Sequence, residues 1–190
     1  MPDHYRYLIL GLWAAWLIYW SVSALNVKTT RRRESLLSRA GHGVPLLIAA
    51  WLLVTPRLSG GMLGARFMPA GPAGSLAGTG LVLLGLLFTV WARVHLGRNW
   101  SGIVTLKQDH ELIRSGPYRW VRHPIYTGLL LAFIGSAIAL GQWRGGLAVL
   151  LVFAALWRKL RLEERWMIET FGAAYTSYRN EVAALIPFVL

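Results

Sequence analysis

The densest group of reactive side chains lies in Gly116-Pro117-Tyr118-Arg119-Trp120-Val121-Arg122-His123-Pro124-Ile125-Tyr126, a basic segment with two prolines that opens into a charge-free apolar run. Pro124 has the fixed φ and missing N–H that suit the first position of a helix, so a helix is predicted to start there, with unpaired backbone donors beside Arg122 and His123. Such donors suit an anion. The second group is Glu163-Glu164, in a stretch where Leu156, Leu160, Met167 and Phe171 recur at three- and four-residue steps before Gly172. Glu164 falls four residues after Leu160 and three before Met167, so at least one carboxylate points toward the protein, while Arg158, Arg161, Arg165 and Glu169 form a separate charged face. An inward carboxylate left unpaired is costly, so a cationic ligand, an arginine or a set of hydroxyl and N–H donors has to stand opposite. The plain structural alternative is an ion pair with Arg122, Arg119 or Arg158.

The elements that position these groups are apolar. Of the 190 residues, 55% are hydrophobic and 15% charged, with ten Trp, which is a membrane profile and not that of a soluble domain. The absence of Cys excludes disulfides, cysteine zinc sites, iron–sulfur clusters and a thiol nucleophile. His4, His42 and His95 are dispersed without paired ligand spacing, so no metal site and no chemical role is expected of them. The net charge of +12 is divided among segments between apolar runs, which points to membrane lipids as the anionic neighbour and not to nucleic acid.

Apolar runs predict an all-α integral membrane protein of about five transmembrane helices: Tyr7 to Leu25, a short one from about Val44 to Val54, about Ala73 to Ala92, Pro124 to about Leu140, and Leu147 to Trp157. The first is read as a retained anchor and not a signal peptide. Gly74, Gly78 and Gly85 allow close helix contact in the third, and Gly141 to Gly146 turn the fourth into the fifth as a hairpin. A helix from Trp157 to Phe171 then leaves the membrane. Sixteen of the twenty basic residues fall on one side, leaving Arg6, Arg57, Arg66 and Arg144 opposite, which sets the N-terminus outside and the C-terminus in the cytosol. No repeat or linker divides the chain, so residues 1–190 are read as one membrane domain, with N-terminal helices in 1–94 and the binding and catalytic region in 95–190.

From Leu96 onward the chain resembles the isoprenylcysteine carboxyl methyltransferase family and the related phospholipid N-methyltransferases. The resemblance runs through Leu96-Gly97-Arg98-Asn99-Trp100-Ser101, His110-Glu111-Leu112-Ile113, Gly116-Pro117-Tyr118 and Arg122-His123-Pro124-Ile125-Tyr126-Thr127-Gly128. It continues in Glu163-Glu164, Phe171-Gly172, Tyr175, Tyr178 and Leu185-Ile186-Pro187. It implies an enzyme that uses S-adenosylmethionine in a cytosolic pocket between the connector before the fourth span and the C-terminal helix. The family's cofactor residues carry over to His110, Leu112, Gly116, Tyr118, His123, Pro124, Tyr126, Glu163 and Glu164.

The implied reaction is carboxyl O-methylation of an isoprenylcysteine-like or other lipophilic acceptor, with Asn99, Arg158 and Arg161 as candidates to hold the carboxylate. Phospholipid or amine N-methylation would need a base, for which His123, Glu163 and Glu164 are the candidates. Alternatives of another kind are a nicotinamide-dependent sterol-type reductase and a non-catalytic membrane protein. The sequence does not choose the acceptor or the oligomeric state.

Overall fold

The computed structural model describes residues 1–25, 27, 30–58, 60–100, 105–107 and 112–189, and gives backbone alone for 30–33 and 105–107. Seven helices follow in order: α1 (Asp3–Ser23), α2 (Leu36–Val54), the single turn α3 (Gly61–Gly64), α4 (Pro72–Leu96), α5 (Pro124–Leu140), α6 (Trp143–Phe171) and α7 (Ala173–Glu181). Short 3₁₀ turns occupy Gly97–Asn99 and Gly116–Arg119. The architecture is helical, with one addition: β1 (Thr30–Arg33) pairs antiparallel with β2 (Thr105–Lys107). This ladder joins the α1–α2 segment to the connector before α5. At the opposite end, Arg66 donates to the Leu140 carbonyl at 3.2 Å, and Phe67 N–H to that of Gly141 at 3.1 Å.

Two boundaries differ from the sequence expectation. Helix α2 starts at Leu36, not near Val44, because Ser35 caps it by accepting the Ser38 N–H at 3.2 Å. Its polar first turns are held by partners far along the chain: Arg158 Nη1 donates to the Ser38 carbonyl at 2.9 Å and lies 3.3 Å from His42 Nδ1. The helix therefore has 19 residues and reaches about 28 Å. The fifth span and the helix after it form a single rod, α6, of 29 residues. At about 43 Å it is longer than a bilayer's hydrocarbon core. Leu36–Val54 and Pro72–Asn99 are each long and apolar enough to cross a membrane. Leu47, Ile48, Leu76, Leu84, Leu87 and Leu150 all face outward, as residues in a lipid environment do and those of a soluble bundle do not.

Helices α4 and α5 meet through glycines. A Cβ on Gly85 would lie 2.5 Å from the Gly128 carbonyl oxygen, one on Gly128 would lie 2.6 Å from that of Gly85, and Gly78 and Gly135 repeat the arrangement one heptad away. Backbone touches backbone there. Gly74, the third glycine of the sequence pattern, meets only Met68. Helix α1 rests on this pair through indoles: Trp13 Nε1 donates to Ser136 Oγ at 3.1 Å and Trp16 Nε1 to Thr89 Oγ1 at 2.6 Å. The α5–α6 hairpin turns at Gly141, whose φ of +66° is the left-handed cap that glycine adopts without strain.

Gly128→Ala is expected to force α4 and α5 apart and destabilise the protein by about 1–3 kcal/mol. Gly80→Ala, which meets nothing within 4 Å, should leave stability unchanged or slightly raised. Thermal unfolding in detergent distinguishes the two.

Candidate functional site

The first turn of α5 and the C-terminal half of α6 bring the two reactive groups together. Glu164 Oε1 accepts from Arg122 twice, from Nε at 2.8 Å and Nη2 at 2.6 Å, and His123 Nε2 stands 3.4 Å away. Glu163 Oε1 accepts the Tyr126 hydroxyl at 2.6 Å, and its Oε2 lies 3.6 Å from His123 Nδ1. Both ring nitrogens of His123 therefore face a carboxylate. The imidazole also stacks parallel to the Tyr126 ring at 5.4 Å, and Lys159 Nζ lies 5.4 Å from the centre of the same ring. Helical spacing explains the assembly, since His123 and Tyr126 are three apart at the start of α5, and Lys159 and Glu163 are four apart on α6.

The two carboxylates are not equivalent. The Glu164 side chain is 8% exposed and Glu163 22%. Burial by itself would raise the Glu164 carboxyl, but the hydrogen bonds and charges of His123 and Arg122 together outweigh it and pull it down to about 2. Glu164 is thus a fixed anion with its partners in place. Glu163 keeps part of its carboxylate open.

Arg122 has a second task. Its Nη1 donates to the carbonyls of Arg179, at 3.0 Å, and Val182. The backbone N–H groups of Arg122 and His123 donate to Ala183 and Ala184 at 2.8 and 3.0 Å, and Thr127 Oγ1 donates to the Leu185 carbonyl at 2.7 Å. Of the donors expected to be free around the start of α5, those of Arg122 and His123 are taken by the C-terminal segment, and those of Tyr126 and Thr127 by the His123 carbonyl at 3.0 and 3.1 Å. Burial pushes the Tyr178 hydroxyl up to about 12, against the pull of Arg122 and Arg114, and it donates to the Tyr118 carbonyl. Burial likewise holds the Tyr118 and Tyr175 hydroxyls well above their ordinary range, so these phenols are donors at neutral pH and not bases.

The remaining sequence-predicted residues divide. Pro124 is buried at the first position of α5, and Tyr118 is buried in the 3₁₀ turn before it. Leu112 is half-buried at the near end of the connector. His110 lies outside the described residues. Gly116, with φ +59°, is pressed against His95, where a Cβ would come within 2.3 Å of the imidazole, so its place is explained by packing. Asn99 is buried, and its Oδ1 has no hydrogen-bond partner among the described residues. Arg158 is not joined to the glutamate pair; it braces α2. Sequence reasoning missed Lys159, although its four-residue step to Glu163 was readable. It also dismissed His42, which is buried with its Nε2 3.4 Å from Glu34 Oε1. Among the described residues, no group of His, Asp and Glu is arranged to hold a metal ion.

An open cleft of about 710 Å³ runs between the connector and the C-terminal segment, with Arg119, Trp120, Arg122, Trp157, Arg179 and Phe188 on its walls. That volume is in the range of small-molecule sites.

Residues 74–174 match the family profile described as phospholipid methyltransferase. The protein-S-isoprenylcysteine O-methyltransferase of Saccharomyces cerevisiae is 36% identical over 115 residues, covering 57% of this chain and 47% of that protein. That of Schizosaccharomyces pombe is 33% identical over 116 residues, covering 58% and 48%. The chain spans about half the length of the curated relatives it matches. A solved structure of a eukaryotic intramembrane Ras methyltransferase, an isoprenylcysteine carboxyl methyltransferase, superposes with a TM-score of 0.55 at 24% identity, over 80% of this chain and 52% of that one. The fold is shared.

Since the Glu164 carboxyl lies at about 2 in the folded protein against an ordinary 4.5, its stabilisation is complete above about pH 4.5 and is lost as the pH falls from there toward 2. Glu164→Gln should remove that part of the acid dependence. Arg122→Ala, which strands a buried carboxylate, should cost about 3–5 kcal/mol. Unfolding followed across pH in detergent checks both.

Proposed function

We propose that this chain, which belongs to the phospholipid methyltransferase family, is an integral membrane S-adenosylmethionine-dependent methyltransferase that methylates the carboxylate of a lipophilic, isoprenylcysteine-like acceptor. The observation that carries the reading is the convergence of Arg122, His123 and Tyr126 on Glu163 and Glu164, with one carboxylate spent on structure and the other partly open. The donor set suits the cofactor. A methyl donor with an ammonium, ribose hydroxyls and a sulfonium needs acceptors and aromatic faces, which Glu163, Tyr126 and Tyr118 offer. His110, Leu112, Gly116, His123 and Pro124 complete the proposed binding set, and the 710 Å³ cleft has Arg122, the residue before His123, on its wall.

When bound, S-adenosylmethionine supplies an electrophilic methyl group whose transfer to a carboxylate oxygen needs no proton removal. The chain's own residues then have to bind, align and exclude water. Tyr126 fixes the Glu163 carboxylate through its hydroxyl, His123 is held in register between Glu163 and Glu164, and Arg122 keeps the C-terminal segment closed against α5. Asn99, buried with an unpartnered oxygen, is assigned to orient the acceptor, and Arg158 to fix α2 beside it.

The proposed topology has five spans: α1, α2, α4, α5 and the first half of α6, with the N-terminus outside and the C-terminus in the cytosol. The concentration of basic residues supports it, as do the β1–β2 ladder at one end and the Arg66 contacts at the other. The domain is one membrane unit, with residues 1–94 framing the functional region in 95–190. N-methylation of a phospholipid amine is the second reading, favoured by the family profile and by the position of His123 between two carboxylates, with His123 as the candidate base.

Purified protein supplied with methyl-labelled S-adenosylmethionine and a prenylcysteine or lipid extract should yield label that base releases as volatile methanol. Base-stable label would establish N-methylation, and loss of nicotinamide absorbance without methyl transfer would replace both readings by a reductase. Glu163→Gln should weaken S-adenosylhomocysteine binding by about 1–3 kcal/mol without loss of fold, measured by calorimetry; an unchanged affinity removes Glu163 from the site.

A further inference from the structure

A second, smaller cleft of about 320 Å³ opens on the protruding part of the α6–α7 pair, lined by Arg161, Glu164, Arg165, Ile168 and Arg179. Three arginines and one glutamate are on its walls, and the glutamate's carboxylate is already engaged by Arg122 at 2.6 Å. The cleft therefore carries a net positive charge. Guanidinium groups present forked donors that match phosphate oxygens. Its depth is also defined. Taking Trp157 as the interfacial residue at which α6 leaves the hydrocarbon, Arg161 lies about 6 Å and Arg165 about 12 Å further along the axis, spanning the headgroup layer and its outer edge.

We propose that Arg161, Arg165 and Arg179 bind the phosphodiester headgroup of an anionic phospholipid, at a site that adjoins the proposed methyl-donor site through Glu164 and Arg179. This rests on the reading of the chain as an integral membrane protein, but not on its catalysing methyl transfer. Arg161 and Arg165 come from α6 and Arg179 from α7, so one phosphate between them ties α7 to the rod. The tie reaches the catalytic cluster, because the Arg179 carbonyl accepts from Arg122 Nη1 at 3.0 Å and α7 also holds Tyr118 through the Tyr178 hydroxyl. Ile168 offers the apolar wall for the glycerol end of the lipid. An anionic leaflet thus steadies the C-terminal segment.

The test uses full-length protein in nanodiscs of phosphatidylcholine, with and without phosphatidylglycerol, read by lipid retention in native mass spectrometry and by Tm. The wild type should retain phosphatidylglycerol over phosphatidylcholine by roughly tenfold or more and unfold at higher temperature in its presence. The R161Q/R165Q/R179Q variant should lose both effects while matching the wild type in pure phosphatidylcholine, since the Arg179 contact to Arg122 is through backbone. Should that variant not fold, R161Q/R165Q alone must show the same loss. An undiminished preference in a folded variant overturns the site. Inorganic phosphate that raises the wild-type Tm as much as phosphatidylglycerol does overturns the lipid assignment in favour of a soluble anion. S-adenosylhomocysteine binding, measured in the same discs, separates this outcome from failure of the methyltransferase reading, because the lipid preference has to hold whether or not the nucleoside binds.

Discussion

A carboxylate taken out of water has to be neutralised where it stands, and the placement of Glu164 imposes that constraint on everything around it. Arg122 meets it with two nitrogens, and the same guanidinium reaches the carbonyls that end α7. One ion pair therefore fixes three separate stretches of chain: the protruding half of α6, the turn into α5 and the C-terminal segment. In a membrane protein the apolar surface is shared between neighbours and lipid, so hydrophobic burial specifies helix partners weakly. Polar groups with a single satisfactory arrangement carry more of that specification.

The adjacent glutamates differ in what holds them. Arg122 and His123 both meet Oε1 of Glu164, which anchors that carboxylate in its charged form at neutral pH. Glu163 accepts from a phenol and faces the far ring nitrogen of His123, and its side chain is 22% exposed. Lys159 over the Tyr126 face adds a cation beside that carboxylate.

Much of this was legible in the sequence. Pro124 marked the start of α5, Leu160 and Met167 placed Glu164 on the inward face, and Gly78 and Gly85 announced a close helix crossing. Each signal is local, set by spacing along one element. What escaped depended on partners distant in sequence. The polar first turns of α2 read as loop because Arg158, more than a hundred residues later, satisfies them. The donors before α5 looked free because the carbonyls of Ala183 and Ala184 have no side-chain signature. The strands of the β1–β2 ladder are too short to show periodicity. His42 looked isolated because Glu34 lies beyond the helix start that the sequence obscured.

The glycine seam holds α4 and α5 by a contact of a different kind from the one that holds α1. A Cβ on Gly78, Gly85, Gly128 or Gly135 would fall 2.5 to 2.6 Å from a backbone oxygen of the facing helix, so even one added methyl group is excluded there. Helix α1 is fastened to the same pair by indole hydrogen bonds and an edgewise ring contact, so its separation from them is set by the length of side chains and not by the backbone.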